Sequence, residues 1–189
     1  MSNIFLASDH HIGHEALLNF KRNDGITHIR SFDNVNHMNE YIIIQHNSVV
    51  KPADRVYLLG DFCFHKRDLA ILSRMNGHKV LIKGNHDKLD LKDYLAYFDD
   101  IRGSHQLDGM LLTHIPVHPN SLGKWHVNIH GHLHHSIVTK EVYTYGANEL
   151  LVAPDHRYFN VSMECLDKYT PISLEELKKE HKFRLDHDF

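Results

Sequence analysis

The stretch "SDHHIGH", Ser8 to His14, packs one aspartate and three histidines directly behind the apolar run Ile4–Ala7. The same juxtaposition recurs down the chain. Gly60-Asp61 follows Val56–Leu59, "KGNHD" (Lys83 to Asp87) follows Val80–Ile82, Thr113-His114 follows Met110–Leu112, and "HGHLHH" (His130 to His135) follows Val127–Ile129. Together these clusters supply Asp9, His11, Asp61, Asn85, His86, Asp87, His114, His132 and His134. Carboxylate, amide and imidazole in one place suit borderline or harder divalent ions such as Mn, Fe, Co, Ni or Zn. None of the clusters contains cysteine, which argues against a structural zinc site. The chain has 20 histidines, and their positions matter more than their number. One strand ending in histidine is usually a structural feature; a series of such ends with the same mixture points to a shared site.

These side chains need a frame to bring them together. Each apolar run is too short for a buried helix and is followed by Gly, Asn or Asp, so each reads as a buried strand. A further strand is expected over Tyr158–Met163. Apolar residues from Val35 to Val50 recur at helical spacing, and Pro52 marks the end of that helix. Leu69–Met75 and Leu91–Phe98 are shorter helix candidates. Ser173 and Glu176 form a capping box that starts a last helix over residues 174–184. Residues 21–33 have weak periodicity and read as a loop. Strands alternating with helices predict an α/β fold, with the polar clusters gathered at the carboxyl ends of the strands. In extended backbone, residues two apart point the same way. That rule pairs Asp9 with His11 and turns His10 away. It also groups His132 with His134, but it leaves His130 on the same side.

DxH, GD, GNHD, a lone His and GHxH thus occur in order over residues 4–135. In this the chain resembles the calcineurin-like metallophosphoesterase superfamily. "MNEYIIIQHNSVV", "DRVYLLGDF" and "FNVSMECLDKYTPISLEEL" narrow the resemblance to a small bacterial and phage subgroup of predicted phosphoesterases. His46 stands where that subgroup usually has tryptophan, and Ser162 where it has glycine; neither lies within a metal motif. The resemblance implies a four-layer α-β-β-α sandwich with a dinuclear metal site at the strand carboxyl ends. It assigns Asp9, His11, Asp61 and His134 to one metal ion, and Asp61, Asn85, His114 and His132 to the second, with Asp61 bridging. Manganese is the first choice of metal, with Fe, Ni, Co and Zn as alternatives. A hydroxide bridging the two ions would attack phosphorus in line with the leaving oxygen. His86 would face the substrate as transition-state stabiliser or acid, and Asp87 would orient it; the alternative for Asp87 is a turn-forming role. Asn85 would also meet the substrate. From their positions, His14 and Arg30 are further candidates for a substrate phosphate, guanidinium being well matched to its oxygens; the alternatives are a His14 that braces His11 and a solvated loop arginine. Asn47 is expected to pack against the site or cap its helix.

Composition bounds the rest. The chain of 189 residues suits a single domain over 1–189, and 42% hydrophobic content excludes a disordered one. The net charge of -3 gives no support for a basic nucleic-acid face. Cys63 and Cys165 form no CxxC pair. The N-terminus has no basic n-region and no run reaches the length of a membrane span, so a cytoplasmic setting is expected, the host's if the gene is viral. The chain also leaves little room for a capping domain. The resulting expectation is a two-metal phosphodiesterase acting on a small, nucleotide-like phosphoester. The alternatives are a small nuclease, a phosphomonoesterase of the same fold, or a protein-binding scaffold like the superfamily's retromer subunit. His86, a residue that scaffold lacks, weighs against the last. The natural substrate and the oligomeric state are not legible in the sequence.

Overall fold

A computed structural model describes residues 2–144 and 149–186. Its elements are β1 (Ile4–Ala7), α1 (Val35–Val49), β2 (Arg55–Leu58), β3 (His78–Ile82), α2 (Leu91–Tyr94), β4 (Asp100–Arg102), β5 (His105–Leu107) and β6 (Met110–Leu112). They continue with β7 (Val127–His130), β8 (Thr139–Thr144), β9 (Glu149–Pro154), β10 (Tyr158–Asn160), β11 (Ile172–Ser173) and α3 (Leu174–Asp186). Short 3-10 turns lie between several of them.

The strands form a sheet ordered β11-β1-β2-β3-β4, a second ordered β10-β7-β6-β5, and the two-stranded hairpin β8-β9. In the first, β1 to β4 run parallel and only β11 is reversed. In the second, β6, β7 and β10 are parallel and β5 is reversed. A parallel strand needs a crossover connection, so successive strands deliver their carboxyl ends to the same edge. Leu6, Leu58 and Ile82 of the first sheet join Leu112, Ile129 and Phe159 of the second in one apolar core. The two sheets meet where Ser8 N donates to Val161 O at 2.8 Å, just beyond β1 and β10. The fold is therefore mixed α/β.

Every expected strand is present, with its ends shifted by a residue or so. The exception is the last: β10 stops at Asn160, and Met163–Cys165 is a 3-10 turn. β4, β5, β8, β9 and β11 were not anticipated. Three of these are two or three residues long, too short to carry a periodic signal. Of the expected helices, Leu69–Met75 is a 3-10 stretch over Lys66–Arg74, and Leu91–Phe98 shrinks to Leu91–Tyr94. The two longer helices form as read. Asn34 caps α1 by accepting from His37 N at 2.9 Å, and Ser173 Oγ accepts from Glu176 N at 3.1 Å at the start of α3.

Asn47 neither caps α1 nor touches the polar clusters. Its side chain binds Arg74 O at 2.8 Å and Asn76 N at 2.8 Å, fastening α1 to the segment ahead of β3. His46 lies on the buried face of α1, where its Nε2 donates to Asn76 O at 2.9 Å. Burial pushes its pKa down to about 4, against the smaller upward pull of that hydrogen bond. The unfolded chain takes up a proton near pH 6.5 that the folded chain refuses. His46 thus contributes stability that is complete above about pH 6.5 and is lost as pH falls toward 4. In metal-free buffer, His46→Gln keeps a donor for Asn76 but no longer titrates. Between pH 7.5 and 4.5 the wild type is expected to lose roughly 2–3 kcal/mol more unfolding free energy than the variant in urea titrations. Identical pH slopes would remove His46 as the cause.

Candidate functional site: two Asp/His groups at the strand ends

The polar clusters converge beyond the carboxyl ends of β1, β2, β3, β6 and β7. Asp9 N donates to Gly60 O and His11 N to Asp61 O, each at 3.0 Å, so the loops after β1 and β2 run side by side. Gly131 N donates to His114 O at 2.9 Å, which couples the loops after β6 and β7. Gly131 must lack a side chain, since a Cβ there would collide with Ser8 Oγ and Asp9 Oδ2. Gly84 is equally constrained by Asp61 Oδ1.

Asp9, His11, Asp61, His132 and His134 all have positive φ, between 49° and 68°. Left-handed backbone is costly for residues with a Cβ, and it persists where the surroundings over-determine it, often at functional sites. It also changes why these residues meet. The alternation of extended chain does not apply to Asp9–His11 or to His132–His134; both pairs sit on left-handed turns. The same turns leave His10 buried against the Phe62 ring, at 5.2 Å between centroids, and outside both groups. His130 is buried with Nδ1 on Gly131 O at 2.8 Å, and it too belongs to neither group.

Two sets of ligand-type atoms result, each within 4.8 Å: Asp9 with His11 and His134, and Asp61 with His114 and His132. Asp9 Oδ2 is occupied by His132 N at 2.8 Å and Ser162 Oγ at 2.9 Å, while Oδ1 has no partner. Ser162 therefore reaches a candidate ligand directly. Asp61 Oδ1 accepts from His86 N at 2.8 Å. Its Oδ2 lies 4.0 Å from His11 Nε2 and 3.3 Å from His114 Nε2, facing both sets at once.

His114 has a defined tautomer. Its Nδ1 lies 2.7 Å from Leu59 O, which can only accept, so Nδ1 carries the hydrogen and Nε2 offers its lone pair. That lone pair faces Asp61 Oδ2 and, at 2.9 Å, Asn85 Oδ1. Three electron-rich atoms converging at a part-buried point call for a proton or a cation. Burial works to lower the pKa of His114, but Asp61 and Asp9 outweigh it and raise the value. Burial likewise opposes ionisation of Asp9, yet the His11 ring and the charges of His114 and His134 hold its carboxyl well below the usual range. Both ring nitrogens of His11 are buried without a hydrogen-bond partner. The donor set and its orphaned atoms fit divalent cations of the borderline or harder kind.

Around this centre, His86 is half-buried, its ring 6.0 Å from that of His11. His14 turns back on His11 as a three-residue spacing allows, with 5.7 Å between rings. Burial first, and then the neighbouring His11 and His86, push His14 down to about 4, so it is a neutral imidazole at pH 7. Phe64, which no motif flagged, stands among all three rings, at 5.5 Å from His11, 4.5 Å from His14 and 5.0 Å from His86.

Two expected roles need correction. Arg30 is not on an open rim. It is 1% exposed and binds Glu164 Oε1 at 2.7 Å, His10 O at 2.7 Å and Asp9 O, which leaves its guanidinium no reach toward a substrate phosphate. Asp87 does not orient His86. Its carboxylate accepts from Asp61 N at 2.9 Å, Phe62 N at 3.1 Å and Gly84 N at 2.8 Å, so it is the turn-former that clips the loops after β2 and β3 together. Glu164 was missed altogether. It is buried beside His134, with Oε1 3.1 Å from Nδ1. Burial favours its neutral form, but Arg30 and then His134 outweigh that and hold it at about 2. Its sequence cue was its place in "FNVSMECLDKYTPISLEEL", one of the stretches that carry the resemblance, as an acidic residue after a strand.

The fold and site define a mixed α/β protein with paired Asp/His groups, able to hold divalent ions at parallel strand ends. No protein-family model matches the chain. It is 31% identical over 187 residues to the uncharacterized protein MJ1445 of Methanocaldococcus jannaschii, covering 95% of this chain and 91% of that protein. The chain belongs to the family of MJ1445. Among solved structures, AQ665 of Aquifex aeolicus, a protein of unknown function, matches with a TM-score of 0.66 and 25% identity over 95% of this chain and all (100%) of that one. A solved archaeal phosphodiesterase matches at a TM-score of 0.42 and 18% identity, over 80% of this chain and 99% of the other.

Proposed function

We propose that the protein is a two-metal phosphohydrolase of the calcineurin-like metallophosphoesterase type, built on that superfamily's four-layer sandwich. In this reading it cleaves a phosphodiester of a small, nucleotide-like molecule. One observation carries the reading: Asp61 Oδ2 faces two separate sets of ligand atoms, 4.0 Å from His11 Nε2 and 3.3 Å from His114 Nε2. A carboxylate oxygen open to both sets is what two ions need to act together on one phosphoryl group.

Asp9, His11, His134 and Asp61 would hold one ion; Asp61, Asn85, His114 and His132 would hold the other. Manganese is the first metal to test. When bound, a pair of divalent ions supplies charge stabilisation for the phosphoryl oxygens and makes a water nucleophile available near neutral pH. The protein's own part is positional. His132 N and Ser162 Oγ hold Asp9 so that Oδ1 faces inward, and His86 N does the same for Asp61 Oδ2. His86 is placed to donate a proton to the leaving oxygen or to stabilise charge on the phosphoryl group. Phe64 keeps water from one side of its ring. His14 stands as a neutral hydrogen-bonding group at the edge.

The test is a panel of bis-p-nitrophenyl phosphate, p-nitrophenyl phosphate, cyclic nucleotides, dinucleotides and short nucleic acids, assayed with Mn²⁺ and with Ni²⁺. Diester hydrolysis abolished by chelator and restored by Mn²⁺ is the expected result. Preference for the monoester or for nucleic acid would move the reading to one of those neighbouring activities. Two bound equivalents of metal with no ester cleaved would favour a binding scaffold.

A further inference from the structure

Glu164 and Arg30 lie 134 positions apart in sequence and form a fully buried ion pair, both side chains 0% exposed. Such a pair is poor value as a stabiliser, because the desolvation of both charges offsets most of their attraction. Here the arrangement is also incomplete, since Glu164 Oε2 is buried without a partner. What the pair does accomplish is alignment. A carboxylate can only accept, so the 3.1 Å contact from Glu164 Oε1 fixes the hydrogen of His134 on Nδ1 and leaves Nε2 with its lone pair. Arg30 meanwhile donates from Nε to that same Oε1, from Nη1 to His10 O and from Nη2 to Asp9 O. One ion pair thus ties together the loop after β1, the loop after β7 and the turn after β10. All the members of the Asp9–His11–His134 set are carried on the first two of these.

We propose that Glu164 is the positioning residue for His134, and that Arg30 holds Glu164 and the Asp9–His10 backbone in register, so that the pair presets one of the two cation sites and not the other. This rests on the two-metal reading. Of the Asp61–His114–His132 set, His132 shares the loop after β7, but Leu59 O fixes His114 and Asp87 holds the Asp61 backbone; Glu164 and Arg30 touch neither support, so the two sites should respond separately.

Outer-sphere partners of metal-binding histidines typically contribute 10–100-fold in affinity. Mn²⁺ titration calorimetry and Co²⁺ absorption spectra of the full chain test the assignment. Two variants are compared with wild type: Glu164→Gln, and Arg30→Met combined with Glu164→Met, which removes both charges at similar volume. The expected result is two Mn²⁺ equivalents in wild type. In each variant one equivalent should keep its affinity and the other weaken by about 10–100-fold. The Co²⁺ band of only one site should change. Thermal melts without metal report whether each variant is folded. Folded variants that bind two equivalents with unchanged affinity overturn the proposal, as do variants in which both sites weaken equally. Failure of both variants to fold assigns the pair to stability and also overturns it. Wild type binding fewer than two equivalents sinks the two-metal reading itself, a result distinct from any of these.

Discussion

Asp61→Ala is expected to bind at most one equivalent of Mn²⁺ and to lose diester hydrolysis by on the order of 10³ or more, at or beyond what removal of one preorganised electrostatic contact costs. The size of the effect follows from the geometry. Asp61 Oδ2 faces both ligand sets, at 4.0 Å from His11 Nε2 and 3.3 Å from His114 Nε2. Without it, two clusters of lone pairs remain with less negative charge to share, and a pair of closely spaced cations loses the group that screens them from each other. The substitution also removes the acceptor for His86 N, so backbone disturbance is a rival cause. Asp61→Asn separates the two. Its side-chain oxygen can still accept from His86 N, but its charge is gone. The paired-site reading expects Asn at this position to fail almost as badly as Ala in metal stoichiometry. Two equivalents bound to either variant, measured by metal analysis after gel filtration, would remove Asp61 from the bridging role proposed for it.

The second large effect is at His86. His86→Ala should retain two metal equivalents and fall in turnover by about 10²–10⁴, the usual contribution of a positioned acid or base. The ring is half-buried, edge-on to His11 at 6.0 Å and packed on Phe64 at 5.0 Å. Its link to Asp61 runs through the backbone amide, which alanine keeps, so metal binding and catalysis should come apart. A substrate with a good leaving group such as p-nitrophenolate needs little proton donation. The loss should therefore be smaller on bis-p-nitrophenyl phosphate than on a dinucleotide if His86 acts as an acid, and equal on both if it only stabilises charge. Full activity in a His86→Ala variant on every diester would end both possibilities.

The Asp/His groups were legible in the chain because they are written locally. Ile4–Ala7, Val80–Ile82 and Val127–Ile129 are short apolar runs that can only be buried strands, and the residues that follow them are polar wherever the sequence is read. Parallel topology then sends those ends to one edge without further information. The same local rule that grouped Asp9 with His11 reached the right pair for the wrong reason, since both have positive φ and neither is extended. That conformation is imposed by neighbouring loops, such as the Gly60 and Asp61 carbonyls that take up Asp9 N and His11 N, and no window of sequence contains them.

Arg30 shows the limit most clearly. In a polar loop it reads as a solvated or substrate-facing cation; only folding reveals that Glu164, 134 positions away, and the carbonyls of Asp9 and His10 surround it. Asp87 likewise sits in a motif that suggests catalysis, while three backbone amides claim its oxygens. Residue type and spacing determined which atoms were available for metal chemistry. Which of them face one another, and which are consumed in holding the loops, depends on hydrogen bonds between segments far apart in the chain. A carboxylate or guanidinium has few bonds to give, and the fold alone allots them.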